Sequence, residues 1–311
     1  MSTPTSQFHH SPTPITSPTQ DHLSATGKIV LVTGGGTAIG TGIVEAFAKA
    51  KAKAVFLTGR RYNLLEDTKK KVHVSAVGLM SAKLNILRQF SLKYSETSFH
   101  AFRADISKDD DVRSLFQEIN KTGSVDILVA NAGYLPTPGP IATTETVEWW
   151  TGFEINVLGT YLLAKAFLNQ PLAPTGTPVF IGVNTGVAHL GPLVGPMSGY
   201  GTSKLAAASV VEFLQAENPH LKAFNVSPGV VESDMSNKAS NPNFPAVDSP
   251  DLMGHLAVWL ASPESDFLKG RFIWANWDIG ELIKAQDKID AAPSLLRLTL
   301  EGWSDNFAAL K

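Results

Sequence analysis

The chain has 311 residues, enough for one large α/β domain or two small ones, and its 43% hydrophobic and 17% charged residues are the balance of an ordinary globular protein. A net charge of −2 without a basic block argues against nucleic acid as a partner, and the absence of cysteine excludes disulfides, thiol nucleophiles and cysteine–metal sites. No apolar run approaches the roughly 18 residues needed to span a bilayer, so a cytoplasmic protein without a membrane partner is expected.

Residues 1–26 are rich in Ser, Thr and Pro, contain no Lys or Arg and lack the apolar stretch of a secretory signal. That composition predicts a disordered tail with His9 and His10 solvated. A β-branched strand over 28–32 then enters the turn Thr33-Gly34-Gly35-Gly36-Thr37-Ala38-Ile39-Gly40. A helix over 40–51 follows, with Ile43, Val44, Phe47 and Ala48 on its apolar side. Next come a strand over 54–58, a Lys-rich helix over 63–72 and a surface insertion over 74–97 with its own helix. A strand over 100–104 ends at Asp105, and a helix over 109–120 carries acidic residues in its first turn, as the helix dipole prefers. A strand over 125–130 enters Asn131-Ala132-Gly133, and a long apolar helix covers 149–169. Then follow a strand over 178–183, a helix over 200–215, a strand over 223–226 ending at Pro228-Gly229, a helix over 252–261 and a strand over 271–275. Residues 281–311 read as one or two amphipathic helices broken at Pro293. The alternation predicts a Rossmann-like, doubly wound parallel sheet of about seven strands with helices on both faces. A single domain is expected over 27–280, followed by a C-terminal helical extension.

Two motifs carry chemistry. In a strand–turn–helix, glycines such as Gly34, Gly36 and Gly40 let the backbone approach a pyrophosphate, which the helix N-terminus then faces with its amides. A P-loop is excluded, because Thr41 follows Gly40 where that motif requires lysine. About 20 residues on, where a carboxylate would bind the NAD ribose, the chain has Thr58-Gly59-Arg60-Arg61. Arg60 and Arg61 can fork onto a 2′-phosphate, which favours NADP(H). Farther on, Tyr200 and Lys204 stand four apart on one helix face. A fixed cation beside a phenol favours the phenolate and lowers a pKa that is otherwise about 10.

Over 27–280 the chain resembles the short-chain dehydrogenase/reductase family. Thr33-Gly34-x-x-x-Ala38-Ile39-Gly40, with Thr37 inside it, is similar to that family's Thr-Gly-x-x-x-Gly-x-Gly cofactor turn. Asp105 matches the acidic residue that holds the adenine, Asn131-Ala132-Gly133 the family's Asn-Ala-Gly, and Asn156 the asparagine of its proton relay. Tyr200 and Lys204 match the catalytic pair. Pro228-Gly229 and Ser233, with Val231 between them, match the segment flanking the nicotinamide. Trp274-Ala275-Asn276-Trp277-Asp278 resembles a filamentous-fungal branch, many of whose members work on secondary metabolites.

Two departures stand out. Ala38 replaces the middle glycine of the turn, which is harmless if its φ is below zero. The family serine, about 13 residues before the tyrosine, has no counterpart. The nearest hydroxyl at the strand end is Thr185, with Ser198 as its rival.

The resemblance implies hydride transfer between a nicotinamide and a ketone or secondary alcohol. Tyr200 moves the proton, Lys204 lowers the Tyr200 pKa and binds the ribose, Thr185 holds the developing alkoxide, and Asn156 positions a water leading to Lys204. Tyr134, Leu135, Leu190, Leu193 and Met197 suit an apolar substrate under a lid formed by 233–250. His189 and His255 have no role in this chemistry. The helices over 149–169 and 200–215 are expected to pair copies into a homodimer or homotetramer. The alternatives are a non-redox cyclase, isomerase or dehydratase on the same scaffold, or an NADP(H)-binding regulator.

Overall fold

The computed structural model describes residues 4–60, 94–171, 176–239 and 245–300. Seven short runs form the strands β1 (Ile29–Thr33), β2 (Ala54–Gly59), β3 (Ser98–Arg103), β4 (Ile127–Ala130), β5 (Val179–Val183), β6 (Lys222–Ser227) and β7 (Phe272–Trp274). They make one sheet in the order β3-β2-β1-β4-β5-β6-β7, every neighbouring pair parallel. The helices that matter for the site are α1 (Ala38–Lys49), α2 (Asp109–Ile119), α3 (Thr146–Phe153), α4 (Gly159–Asn169), α5 (Ser198–Glu217), α6 (Asp234–Ala239) and α7 (Pro250–Ala261).

A central parallel strand must be apolar on both faces. In β1, Val30 and Val32 join the core layer shared with α1 and α7, while Ile29 and Leu31 join the layer shared with α2, α4 and α5. On the first face α1 and α7 cross without room for side chains. A Cβ on Gly42 would lie 2.2 Å from the Pro250 carbonyl oxygen, and one on Gly254 would lie 2.4 Å from that of Gly42. Strand order reverses between β1 and β4, which opens a crevice at the carboxyl ends of these two strands.

Three expectations change. The segment over 149–169 begins earlier, at Thr146, and a π-helical turn at Glu154–Leu158 separates α3 from α4. Residues 4–26, expected to be disordered, instead pack against the domain, with 3-10 turns at Pro14–Thr16 and Asp21–Leu23. Leu23 and Ala25 enter the core beside α1 and α7, and Phe8 bridges antiparallel to Trp277. His9 and His10 are not solvated spectators: they pair with Asp278 at 2.8 Å and Asp248 at 2.6 Å. The segment cannot bury enough surface alone, but it borrows a core built by residues far along the chain. The helix expected over 63–72 and most of the 74–97 insertion lie outside the described residues. The C-terminal extension starts with two short helices, Ile279–Lys284 and Gln286–Asp290, both ahead of Pro293.

Candidate active site

The turn after β1 is built around contacts that only glycine permits. Gly34 has φ +66°, and a Cβ there would come within 2.9 Å of Asn131 Nδ2; one on Gly40 would lie 2.2 Å from the Gly34 carbonyl oxygen. Thr37 caps α1, its Oγ1 accepting from Gly40 N at 3.3 Å and donating to the Gly34 carbonyl at 2.9 Å. Ala38 is the first residue of α1 and is not among the positive-φ residues, so its methyl imposes no backbone strain. Gly36 lies in the turn ahead of the Thr37 cap, and Ile39 and Gly40 are the second and third residues of α1.

Asn131 stitches the crevice. Its Nδ2 donates to the carbonyls of Thr33 at 2.9 Å and Gly34 at 3.2 Å, while Ala132 N donates to Thr33 Oγ1 at 3.0 Å. A Cβ on Gly133 would lie 3.2 Å from Lys204 Nζ and 3.3 Å from Asn156 Oδ1, so this glycine lets the two halves of the site meet. Arg60 is exposed just past β2, and Arg103 of β3 is the register partner of Gly59. Arg61 lies outside the described residues. Asp105 Oδ1 accepts from Ser107 N at 3.0 Å and Ser107 Oγ at 2.8 Å at the sheet end. The glycine-shaped cradle, the capped helix N-terminus and the exposed guanidinium of Arg60 together fit a dinucleotide bearing phosphates.

The second half of the site hangs on the π-turn, which swings Asn156 inward. Asn156 Oδ1 accepts from Tyr134 N at 2.9 Å, and its Nδ2 donates to the Tyr134 carbonyl and to Ser203 Oγ, each at 2.9 Å. Ser203 Oγ donates in turn to the Tyr200 carbonyl at 2.9 Å. The Asn156 side chain therefore ties the strand end at 133–134 to the first turns of α5, and the Asn156 main-chain carbonyl receives the Thr160 hydroxyl at 2.7 Å.

Lys204 is buried and its Nζ donates to the Val183 carbonyl at 2.9 Å; burial lowers the amine to about 8. Tyr200 is half-buried as a residue, but its phenol oxygen is enclosed, and burial pushes the phenol up to about 12 against an opposing hydrogen bond with Thr185. The expected depression of the Tyr200 pKa by Lys204 is thus corrected. Burial sets the direction and the Thr185 hydrogen bond opposes it, while the Lys204 amine is bonded to the Val183 carbonyl.

Thr185 is the hydroxyl that reaches Tyr200. Asn184 orients it, Oδ1 accepting from Thr185 N at 3.0 Å while Nδ2 donates to the Lys204 carbonyl at 3.1 Å. Ser198 instead accepts from Trp149 Nε1 at 3.3 Å.

Pro228-Gly229 turns the chain after β6, with Gly229 at φ +85° and Val231 buried behind it. Ser233 N and Oγ both engage Ser236 Oγ, at 2.8 and 3.3 Å, at the start of α6. From α6, Met235 Sδ lies 3.8 Å from the Tyr200 hydroxyl. Lys238 Nζ donates to the Leu135 carbonyl and to Glu148 Oε1, each at 2.9 Å, and sits 5.1 Å from the Tyr134 ring centre. Glu148 Oε1 also accepts from Tyr134 OH at 3.1 Å and Thr137 Oγ1 at 2.7 Å, and the Lys238 bond leads in drawing its carboxyl down to about 2. Pro136, Thr137, Pro196 and Met197 line a depression beside Tyr200. Leu135 is buried and Leu190 half-buried, whereas Leu193 is exposed to solvent. Sequence reasoning missed Asn184, Met235, Lys238 and Glu148. Only Asn184, adjacent to Thr185, carried a local signal.

A family model for the short chain dehydrogenases matches residues 66–243. Among curated proteins, the short chain dehydrogenase/reductase AacuD of Aspergillus aculeatus is 29% identical over 297 residues, covering 94% of this chain and 95% of the relative. A short chain dehydrogenase/reductase of Claviceps purpurea is 30% identical over 280 residues, covering 87% and 85%. Among solved structures, the RhlG/NADP active-site complex of Pseudomonas aeruginosa aligns with a TM-score of 0.66 at 23% identity, over 82% of this chain and 97% of that one. A putative short chain dehydrogenase of Shigella flexneri complexed with NADP aligns with a TM-score of 0.68 at 21% identity, over 82% and 99%. The likeness to these two structures shows the fold. No helix among the described residues is long and apolar enough to cross a membrane, and no group of three His, Cys, Asp or Glu there could hold a metal. Motifs, sheet order and relatives agree, and the chain belongs to the short chain dehydrogenase/reductase family of oxidoreductases.

Proposed function

We propose that the protein interconverts a ketone and a secondary alcohol on an apolar substrate, with NADP(H) as cofactor and Tyr200 as general acid and base. The observation that carries this reading is the convergence of Tyr200, Thr185, Lys204 and Asn156 at the carboxyl ends of β4 and β5, against the crevice. The fungal relatives and the NADP-bound structural neighbours support it.

On this reading Gly34, Gly36, Thr37, Ile39 and Gly40 hold the pyrophosphate, Arg60 and Arg61 the 2′-phosphate, and Asp105 the adenine. Thr33, Asn131 and Gly133 shape the crevice floor, and Gly229, Val231 and Ser233 flank the nicotinamide. When bound, the cofactor supplies or accepts the hydride at the substrate carbon. In reduction Tyr200 donates its proton to the substrate oxygen while the Thr185 hydroxyl stabilises the charge building there. Burial holds the phenol protonated at neutral pH, the form that reduction requires. Lys204 lies one helical turn away to hold the ribose and recharge the phenol.

Tyr200→Phe removes the proton and leaves the ring. With a panel of apolar ketones and NADPH, followed by nicotinamide absorbance, kcat is expected to fall at least about 10²-fold with NADPH affinity intact. Near-normal turnover in that variant overturns the reading. So does product formation by the wild type without any change in nicotinamide absorbance, which points to the non-redox alternative.

A further inference from the structure

The packed N-terminal segment meets a buried carboxylate at His10. Asp248 is buried, and its two oxygens serve three separate parts of the chain. Oδ2 accepts from Val230 N at 2.5 Å, and Asp248 N returns a bond to the Val230 carbonyl at 3.1 Å. Oδ1 accepts from Asn276 Nδ2 at 2.9 Å and pairs with His10 Nδ1 at 2.6 Å. Gly229 makes the approach possible, since a Cβ there would lie 2.5 Å from Oδ2.

The N-terminal segment is threaded to reach this point. His9 N donates to the Asn276 carbonyl at 2.7 Å, Asn276 Nδ2 donates back to the His9 carbonyl at 2.9 Å, and Ser249 N donates to the His10 carbonyl at 2.8 Å. The turn at 229–231, the segment after β7 and residues 8–10 are therefore locked through one side chain. None of them is a sequence neighbour of another.

We infer that Asp248 is a positioning residue for the turn at 229–231, and that His10 of the N-terminal segment completes the device. This rests on the reading that the turn flanks the nicotinamide. A peptide N–H held by a buried carboxylate is fixed more firmly than one bonded to water, because a charged acceptor in a poorly solvated setting makes the stronger bond. Fixing Val230 N fixes the direction of the backbone that follows it toward Val231. Residues 8–10 then act on the nicotinamide half of the site from outside the strand–helix core.

The test uses the full chain and calorimetric titration with two probes, NADPH and adenosine 2′,5′-bisphosphate, which lacks the nicotinamide half. In Asp248→Asn the NADPH dissociation constant is expected to rise about tenfold, the size of one lost charge-assisted bond, while that of the bisphosphate stays within about twofold. His10→Ala, at an imidazole that is 55% exposed, is expected to keep the fold and raise the NADPH constant about threefold. His10→Ala is also expected to speed amide hydrogen exchange at Val230 without any ligand. Equal losses for both probes, or no loss for either in folded protein, overturn the inference, as does unchanged Val230 exchange. Failure of the underlying cofactor reading shows itself differently: wild-type protein would bind NADPH no more tightly than the bisphosphate, and NADPH would not slow exchange over 229–233.

Discussion

The hydroxyl of Tyr200 lies 3.8 Å from the sulfur of Met235, so α6 covers the residue proposed to move the proton. The same helix is latched by Lys238 to Glu148 and to the Leu135 carbonyl. A substrate oxygen approaching Tyr200 has to take the place of the Met235 thioether. Lys238→Met keeps the stem and removes the latch. Because the Lys238–Glu148 pair is partly exposed, it is worth about 0–1 kcal/mol, so opening should become up to about fivefold more frequent. Hydrogen exchange across residues 234–239 reads this directly, and equal rates in variant and wild type would refute the latch. Met235→Ala should shift selectivity toward bulkier ketones.

Thr185 is the hydroxyl nearest the place of the family serine, and it reaches the Tyr200 phenol. Thr185→Ala should lower kcat about 10²–10³-fold, a typical cost for one lost donor at a developing oxyanion, and Thr185→Ser should restore most of it. Ser198→Ala should be near neutral, since Ser198 is committed to Trp149. A reversed order, with Ser198→Ala the damaging change, would move the role to Ser198.

Arg60 carries the cofactor preference in the proposed reading. Arg60→Ala should weaken NADPH binding at least about tenfold, or 1.4 kcal/mol, and leave NADH binding unchanged. Equal affinity of the wild type for the two cofactors would remove the NADP(H) assignment.

Lys204 and Tyr200 make opposite contributions to stability as pH rises. Folding lowers Lys204 from 10.5 to about 8, so between these values the unfolded chain binds more protons. The Lys204 penalty is therefore full below about pH 8 and is relieved as pH climbs toward 10.5. Folding raises Tyr200 from 10.0 to about 12, so its contribution is present below pH 10 and is lost above it. Lys204→Met should thus be stabilised relative to wild type at pH 7, with the gap closing by pH 10. Urea titrations at the two pH values check this, and a pH-independent gap would contradict the burial assigned to the amine.

The outer faces of α3 to α5 leave Trp150, Leu158, Tyr161, Leu205 and Phe213 exposed, more apolar surface than a solvated helix pair normally shows. We expect a homodimer or homotetramer joined through this face. Light scattering at micromolar concentration should give a multiple of 33.3 kDa, and Phe213→Glu should shift it toward the monomer. A monomeric wild type would show that this surface has another use.

The central strand runs were legible because strands buried on both faces of a parallel sheet must be apolar, a local demand that β1, β4 and β5 meet by themselves. Tyr200, Lys204 and the glycines of the turn were legible for a similar reason, since helix pitch and backbone sterics act over a few residues. Three things were decided only in three dimensions. The Tyr200 pKa depends on how much of the fold excludes water from its oxygen, and that burial raises it. The covering of Tyr200 by Met235 depends on where α6 lands. The N-terminal segment orders itself on Asp248, Asn276 and Asp278, more than 230 residues away, because composition records what a segment can bury alone and not what a distant core offers it.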